Sequence, residues 1–262
     1  MSAPNADPPQ AATLHRIGIV VGLVREAEAL APALRALSSI DRPLLFCSGG
    51  SVERARFGVE RMIEDGVAGL LSFGMAGGLD PALKAGDLLV ADRIVAAADG
   101  ASHAGDAAWA AALVAPRDEA PGCPECRLAV LAGVDEPVVT VEAKRRLAER
   151  TGAVAVDMES HVVAEAAARH GLPFIALRAI ADPAGRTIPS AALAGLAPDG
   201  GTRPLAVMAR LALRPWQIPA VMRLAADSAA ALGALRGVAL RDARRLLRLP
   251  GMDLAHELFD VP

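Results

Sequence analysis

Short runs of aliphatic residues alternate with amphipathic stretches along most of the chain. Runs such as Arg16–Gly22 and Ala68–Phe73 are apolar and partly β-branched, which is typical of strands buried on both faces of a sheet. Residues 23–36, which follow the first run, contain good helix formers, and residues 52–63, which follow a second short strand at Pro43–Cys47, are also predicted to be helical. We therefore predict a single-domain, three-layer α/β/α fold with a central mixed, mostly parallel sheet and additional C-terminal helices.

The predicted domain covers residues 16–250 and lies between tails at residues 1–15 and 251–262. Its last part, residues 204–250, is a helical extension that is rich in Ala, Leu and Arg. Residues 204–248 contain eight Arg and two Asp, whereas the whole chain has a formal net charge of −3. One face of this extension is predicted to consist of Ile218, Val221, Met222, Ala225, Ala229 and Leu232. This face either packs on the sheet, with the arginines in solvent, or forms a basic amphipathic contact with a membrane surface.

The composition argues against several classes of protein. The net charge of −3 and the aromatic content of 3%, with no Tyr, do not suggest nucleic-acid binding. The longest uncharged run, residues 66–79, is glycine-rich and too short to cross a bilayer, and the N-terminus lacks the pattern of a signal peptide. We therefore expect a cytoplasmic protein that contacts a membrane only at its surface, if at all.

The three cysteines do not suggest a disulfide framework. Cys123 and Cys126 form a lone C-x2-C pair in a predicted loop, and a zinc site would need a second pair at a suitable spacing. We therefore expect no metal site, and the role of the pair stays open.

Three carboxylates follow predicted strands. Glu26 comes after the first strand, Glu159 begins the helix after strand 153–157, and Asp182 ends the strand that starts at Pro173. Ligands of open α/β sheets bind beyond the carboxyl ends of the strands, so the three acids are expected to face one crevice and a polyol-like ligand. Each acid also has a structural interpretation: Glu26 as an ordinary first-turn acid, Glu159 as a favourable charge at a helix N-terminus, and Asp182 as part of an Asp-Pro turn.

Residues 74–78, Gly-Met-Ala-Gly-Gly, are predicted to form a loop after the third strand. Their N–H groups are little obstructed by side chains and suit a phosphate or a sugar hydroxyl. The segment does not match the dinucleotide fingerprint GxGxxG, and no Walker sequence occurs in the chain. Glycines after a strand also serve tight turns and close packing, so this signal is weak by itself.

Four segments, in this order, resemble one family. IGIVVGLVREAEA, SFGMAGGL with GDLLVAD downstream, VDMES and PFIALRAIADPA are similar to the purine nucleoside phosphorylase and nucleosidase superfamily. Its methylthioadenosine/S-adenosylhomocysteine nucleosidase branch has an IG-strand followed by Glu, GSAGG with GD downstream, xMEx and RAISD. The resemblance covers residues 16–183, and the tail RPWQIPAVMRLAADSAAALGALRG is similar to that of the hopanoid-biosynthesis-associated phosphorylases.

The resemblance implies roles for several residues. Asp182 matches the acid that protonates N7 of the purine, and Glu26 matches the Glu that activates water, so both are expected to be catalytic. Glu159 matches the Glu that binds the 2′- and 3′-hydroxyls of the ribose, and Met158 matches the Met that packs on the ribose face. His103 lies in the region where superfamily members contact the 5′ side of the sugar.

Two departures from the family pattern concern the attacking nucleophile. Met75 replaces the Ser of GSAGG, and Arg25 lies where phosphorylases of the superfamily place a phosphate-binding Arg. An Arg fork suits phosphate, whereas a Glu base suits water. We predict a phosphate site formed by Gly22, Arg25 and the backbone of Gly74 and Met75, with inorganic phosphate as co-substrate and no other cofactor.

The resemblance implies a homo-oligomeric enzyme that cleaves the N-glycosidic bond of a 5′-substituted adenosine. The tail indicates adenosylhopane, a lipid-linked nucleoside, as the substrate, with adenine and a ribosyl or phosphoribosyl hopane as products. A water-using nucleosidase of methylthioadenosine or S-adenosylhomocysteine is the alternative, and a non-catalytic nucleoside-binding protein is the second alternative.

Overall fold

The computed structural model describes residues 16–38, 42–116, 125–195, 197 and 199–250. Within these ranges, eight strands form one mixed sheet. The strands are β1 (Ile17–Val21), β2 (Leu44–Cys47), β3 (Gly69–Gly78), β4 (Leu88–Ala96), β5 (Ser102–Ala104), β6 (Cys126–Gly133), β7 (Ala155–Asp157) and β8 (Phe174–Asp182).

Strand β8 closes part of the sheet into a ring. The strand order is β2-β1-β3-β7-β6-β4-β5, and β8 pairs with both β3 and β4. Five pairings are parallel, and β3–β7, β4–β5 and β4–β8 are antiparallel, so the prediction of a mixed, mostly parallel sheet is confirmed. Because β8 is parallel to β3 and β7 is antiparallel to it, the two strands that carry the predicted acids run in opposite directions. They still end at one place, because Gly77 of β3 pairs with Val156 on one side and Asp182 on the other.

Helices cover both faces of this sheet. The described helices are α1 (Val24–Arg35), α2 (Val52–Glu64), α3 (Ala107–Val114), α4 (Val141–Thr151), α5 (Ser160–His170), α6 (Ser190–Leu193), α7 (Pro204–Leu213), α8 (Ile218–Arg241) and α9 (Ala243–Leu247), with a 3₁₀ turn at Pro215–Gln217. One apolar core lies between the sheet and α1, α3, α8 and α9, and a second lies between the sheet and α2 and α5. The predicted three-layer architecture is therefore confirmed.

Two local predictions are wrong. Residues 74–78 are not a loop but the last part of β3, because they pair with β8 and β7. The sequence also suggests separate strands at residues 88–91 and 93–98, but β4 is continuous over most of both and contains an irregularity between Ala91 and Arg93.

The C-terminal extension packs on the sheet through only part of its length. The side chains of α8 that enter the core are Ala231, Leu235, Val238 and Ala239, all in its second half. The first half of the predicted apolar face does not pack in this way, since Ile218 is 46% and Met222 65% exposed. The prediction of a helix is therefore correct, but the predicted face is not the one that packs. None of its six residues is fully buried, Ala225 and Ala229 are exposed, and of the six Leu232 alone contacts the core, as a half-buried side chain.

Candidate active site

A cavity of about 260 Å³ opens where β3, β7 and β8 end. Its polar part is lined by the backbone of glycines and by four acidic side chains, namely Gly22, Gly50, Gly77, Glu26, Asp157, Glu159 and Asp182. All four acids are buried in the structure. The predicted convergence of three acids on one crevice is thus observed, with Asp157 as a fourth.

Glu26 lies in the first turn of α1 and is 3% exposed. Its Oε2 accepts hydrogen bonds from the N–H groups of Gly22 and Leu23, both at 2.8 Å, and its Oε1 accepts one from the N–H of Met75 at 2.7 Å. Glu26 therefore caps the N-terminus of α1, in agreement with its interpretation as a first-turn acid, and it also links α1 to β3. Burial raises the pKa of Glu26, while Arg178 and the three N–H donors oppose the rise. A carboxylate with a raised pKa is a better proton acceptor near neutral pH.

Glu159 is the N-cap residue of α5, but its carboxylate does not cap the helix. Asp157 does so instead, because its Oδ1 accepts hydrogen bonds from the N–H groups of Glu159 and Ser160 at 3.1 and 2.9 Å. The carboxylate of Glu159 lines the cavity, and Ser48 Oγ donates to its Oε1 at 3.3 Å. Burial raises the pKa of Glu159 to about 7, with Arg178 opposing the rise and Asp157 reinforcing it.

Arg178 of β8 is fully buried among these carboxylates. Its Nε donates to Asp157 Oδ2 at 2.5 Å, and its Nη2 donates to Ser72 Oγ at 2.6 Å and Ser160 Oγ at 3.0 Å. Nη2 also lies 3.8 Å from Glu159 Oε2, and Nη1 has no hydrogen-bond partner among the described residues. Burial works against the charge of Arg178, but the surrounding carboxylates raise its pKa and keep it protonated.

Two glycines allow these side chains to pack so closely. A Cβ atom on Gly22 would lie 2.7 Å from Glu159 Oε1, and one on Gly74 would lie 2.6 Å from Arg178 Nη1 and 2.7 Å from Glu26 Oε1. Such distances are too short for any side chain, so glycine is required at both positions by the approach of the charged groups.

Asp182, at the end of β8, is paired with a buried lysine. Lys144 of α4 is 0% exposed, and its Nζ donates to Asp182 Oδ2 at 2.5 Å. The same ammonium group donates to the carbonyl oxygens of Asp182 and Pro183 at 3.0 and 3.1 Å, so its three hydrogens all serve the end of β8. Burial raises the pKa of Asp182, and the charge of Lys144 opposes this rise.

The rest of the cavity is mainly apolar and includes the loop after β8. Apolar lining residues are contributed by β7, this loop, α6 and α8, and they include Met158, Ile188, Ala192, Leu193 and Leu224. Arg186 of the loop forms an ion pair with Asp227 of α8 at 2.7 Å, which joins the loop to the C-terminal extension. The cavity therefore has an acidic end on the sheet and an apolar end at α6 and α8.

Comparison with known sequences identifies the family. Residues 38–212 match the family model described as "Phosphorylase superfamily". The chain belongs to the phosphorylase superfamily. Among curated proteins, futalosine hydrolase of Streptomyces coelicolor is 36% identical over 129 residues, which make up 44% of this chain and 54% of that protein. The chain therefore spans about half the length of this relative.

Solved structures of nucleosidases share the superfamily fold. A mutant of the Helicobacter pylori MTAN with 5′-methylthioadenosine in the active site has a TM-score of 0.59 and 22% identity, covering 65% of this chain and 87% of that one. A futalosine hydrolase mutant from Helicobacter pylori has a TM-score of 0.58 and 22% identity, covering 64% and 86%. These structures confirm the predicted fold, and the family model confirms the predicted superfamily; the hopanoid-associated subfamily remains a prediction.

Most residues predicted from the superfamily resemblance meet at the cavity. Six of the nine line it, namely Gly22, Glu26, Met75, Met158, Glu159 and Asp182. Gly74 lies against Glu26 and Arg178 without being part of the lining. Arg25 is exposed and does not line the cavity, and His103 lies on β5 beside a separate cavity of about 370 Å³. His103 therefore does not line the cavity that holds the acids, and its contact with the 5′ side of a sugar stays a prediction.

The predicted phosphate cradle is not formed by the residues assigned to it. The N–H groups of Gly22 and Met75 donate to Glu26, and Arg25 does not line the cavity. Among the described lining residues there is no Lys or Arg at all. A phosphate dianion would consequently face carboxylates rather than cations.

The sequence interpretation missed the two cations that support the acids. Arg178 interrupts the apolar strand FIALRAIAD, and this unusual position was the available signal, since a charge in a doubly covered strand must be paired. Lys144 offered no such signal, because it lies on α4 among exposed charged residues and resembles a surface lysine. Its burial depends on the packing of α4 against the end of β8.

The cysteines give no support for a metal site. Cys126 is buried in β6, while Cys123 lies outside the described residues. No group of three or more His, Cys, Asp or Glu residues that could hold a metal ion occurs in the described part of the chain.

Proposed function

We propose that this protein hydrolyses the N-glycosidic bond of a purine nucleoside with an apolar 5′-substituent, and that this nucleoside is adenosylhopane, as the resemblance of the tail implies. The observation that carries the proposal is the arrangement of Glu26, Glu159 and Asp182 along one cavity. Each has a different supporting partner: backbone N–H groups for Glu26, Ser48 for Glu159, and Lys144 for Asp182. Three carboxyl groups with raised pKa values and separate partners can act as base, sugar ligand and acid.

In the proposed reaction, the bond between C1′ of the ribose and N9 of the purine breaks. Asp182 donates a proton to N7, so the base leaves as a neutral molecule. Glu159 accepts hydrogen bonds from the 2′- and 3′-hydroxyls and stabilises the positive charge that develops on the sugar. Glu26 removes a proton from water as the water oxygen bonds to C1′. Before the next turnover Glu26 releases this proton to solvent and Asp182 takes one up, so both carboxyl groups return to their starting states.

Water is favoured over phosphate as the nucleophile. The sheet end of the cavity is lined by carboxylates, and the two fully buried cations beside them already have partners: Arg178 is bound to Asp157, Ser72 and Ser160, and Lys144 to Asp182. A neutral water molecule can bind beside Glu26 at little electrostatic cost, whereas a phosphate dianion would be repelled.

The apolar end of the cavity supports a hydrophobic 5′-substituent. Ile188, Leu193 and Leu224 line this end, and they belong to elements beyond the segment that carries the acids. A hopane chain would bury apolar surface there, and each buried methylene contributes about 0.8 kcal/mol. A short thioether, as in methylthioadenosine, would use only part of this wall.

The proposal can be tested by following adenine release from adenosylhopane and from methylthioadenosine, with and without inorganic phosphate, in ¹⁸O-labelled water. We expect phosphate-independent release, one ¹⁸O atom in the sugar product, and a higher kcat/KM for adenosylhopane. Asp182→Asn and Glu159→Gln should each lower kcat by about 10²- to 10⁴-fold. Glu64→Gln, an exposed acid on α2, serves as the matched control and should retain full activity.

Three results would overturn parts of this proposal. A sugar 1-phosphate, formed only in the presence of phosphate, would show that the enzyme is a phosphorylase. An equal or higher kcat/KM for methylthioadenosine would contradict the proposal that the substrate is a lipid-linked nucleoside. Nucleoside binding without turnover on prolonged incubation would identify a binding protein, provided that circular dichroism confirms the fold.

A further inference from the structure

The C-terminal extension carries a group of large apolar side chains that are exposed to solvent. Their exposures lie between 46% and 79%, which is unusual for side chains of this size. They come from α7, the 3₁₀ turn and the start of α8: Leu205, Met208, Leu213, Trp216, Ile218 and Met222. We call these six residues the apolar arm.

The apolar arm is accompanied by positive charge alone. Residues 200–226 contain four arginines and no Asp or Glu. The four side chains are exposed, and they are Arg203, Arg210, Arg214 and Arg223. A surface that combines exposed Leu, Met and Trp with arginine charge is complementary to the headgroup region of an anionic lipid layer.

The arm is held at the surface of the domain and does not span a bilayer. The stretch Pro215–Arg241 is long enough and apolar enough to cross a membrane by length and composition; its most apolar 18-residue window has a mean hydropathy of 1.3, and 11% of that window is buried. However, the second half of α8 is fixed in the core by Leu235 and Val238. Crossing a membrane would remove these residues from the core, whereas lying on the lipid surface leaves them in place.

We propose that the apolar arm docks the protein onto an anionic lipid surface. Trp216 and Leu213, at the turn between α7 and α8, enter the boundary between headgroups and acyl chains, and the arginines bind lipid phosphates. The biological reason for docking at this arm depends on the proposed function, because a lipid-linked substrate lies in the membrane. Leu224 and Ser228 of α8 line the cavity and follow Met222 of the arm by less than two helical turns, so a lipid-linked nucleoside could reach the cavity from the membrane.

Docking can be measured without any nucleoside, by co-sedimentation of the full-length protein with vesicles. We expect binding to phosphatidylcholine vesicles that contain phosphatidylglycerol, weak binding to pure phosphatidylcholine, and release in high salt. The two tryptophans make fluorescence a second measurement, because Trp109 is fully buried and Trp216 is 71% exposed. A blue shift and loss of acrylamide quenching on vesicle addition should therefore come from Trp216, and Trp216→Phe should remove the signal while most binding remains.

Variants separate the apolar and the electrostatic contributions. Leu213→Ser combined with Trp216→Ser should weaken binding by about 10- to 100-fold, since two side chains no longer leave water. Arg210→Gln and Arg223→Gln should each weaken it by about 5-fold and reduce its salt dependence. Phe57→Ser on α2, which removes an equally exposed aromatic side chain, and Arg145→Gln on α4 are the matched controls and should bind as the unmodified protein does.

The absence of binding to anionic vesicles at low salt would overturn the proposal, as would equal binding by the arm variants and the controls. Light scattering decides whether a second copy covers the arm instead: dissociation of an oligomer by Leu213→Ser with Trp216→Ser, without vesicle binding, would contradict lipid docking. If only the proposed function is wrong, the protein will still bind vesicles but will release no adenine from any substrate.

Discussion

The cavity buries charged side chains, whereas the apolar arm exposes apolar ones. The cavity buries four acids, and a fully buried arginine and lysine lie against them, whereas the arm exposes six large apolar side chains. In the cavity each charge has partners at hydrogen-bond distance, such as Lys144 on Asp182 at 2.5 Å. In the arm the side chains are held by the backbone of two helices but make little contact with the core. Burying charges and exposing large apolar side chains both make the free energy of folding less favourable, so both arrangements indicate a role other than stability.

The difference between the two regions predicts how each responds to change. A buried network loses stability when one member is removed, because the remaining charge stays buried without a partner. An exposed apolar side chain contributes little to folding, so its replacement should affect binding and leave stability unchanged. The following four predictions test this contrast, beginning with the largest expected effect.

Arg178→Met should have the largest effect on stability. The side chain is fully buried and contacts Asp157 and two serines, so its loss leaves that carboxylate uncompensated. We expect the free energy of unfolding to fall by about 3–5 kcal/mol, measured by urea denaturation. Arg56→Met, which removes an exposed ion pair with Glu165, is the control and should cost less than about 1 kcal/mol. Equal losses in the two variants would contradict a coupled buried network.

Lys144→Met should have an intermediate effect on stability and a distinct effect on the pH profile. Asp182 would lose its cation but could bind a proton instead, so we expect a loss of about 1–3 kcal/mol. Because Lys144 opposes the rise in the pKa of Asp182, its removal should raise that pKa further. The alkaline limb of kcat/KM should then move to higher pH, since Asp182 acts in its protonated form. The exposed Lys84→Met is the control, and an unmoved limb would show that Lys144 has a structural role only.

The pKa of Glu159, raised to about 7, predicts that kcat/KM and the free energy of unfolding depend on pH in opposite directions. The ribose hydroxyls need the ionised carboxylate, so kcat/KM should rise by about tenfold per pH unit below pH 7 and then level off until the alkaline limb set by Asp182 begins. The folded state binds more protons than the unfolded state between about pH 4.5 and 7, so the free energy of unfolding should decrease as the pH rises through this window. Glu159→Gln should reduce this second slope but not abolish it, because burial also raises the pKa values of Glu26 and Asp182. An unchanged slope in Glu159→Gln would assign the proton uptake to other groups.

Leu213→Ser combined with Trp216→Ser should have the smallest effect on stability. Both side chains are more than 70% exposed, so we expect the free energy of unfolding to change by no more than about 0.5 kcal/mol. Trp109→Ser provides the contrast, since this fully buried tryptophan also donates a hydrogen bond to the carbonyl of Arg245 at 2.9 Å. A large loss of stability in the arm variant would mean that the arm is part of the folded core.

The sequence predicted most elements and several site residues because these depend on local patterns. Apolar runs placed the strands, the positions of Glu26, Glu159 and Asp182 after strand ends assigned them to one crevice, and the resemblance in four motifs implied their roles. Prediction failed where strand pairing decides the outcome. Residues 74–78 look like a glycine loop by composition, but pairing with β7 and β8 makes them the end of β3. Arg25 resembles a phosphate ligand by position, but it does not line the cavity.

By itself the sequence determined the α/β architecture, the superfamily and the identity of the three acids, because periodicity and short motifs record which side chains face inward at a strand end. Only the tertiary structure decided which groups support those acids. Asp182 meets Lys144 from 38 positions away, and Glu26 meets the Met75 N–H from 49 positions away. Such contacts depend on strand register and helix packing, which no local pattern encodes. For the same reason the sequence allowed two interpretations of the C-terminal extension. The structure separates the second half of α8, which packs in the core, from Ile218 and Met222 near its start, which belong to the exposed apolar arm.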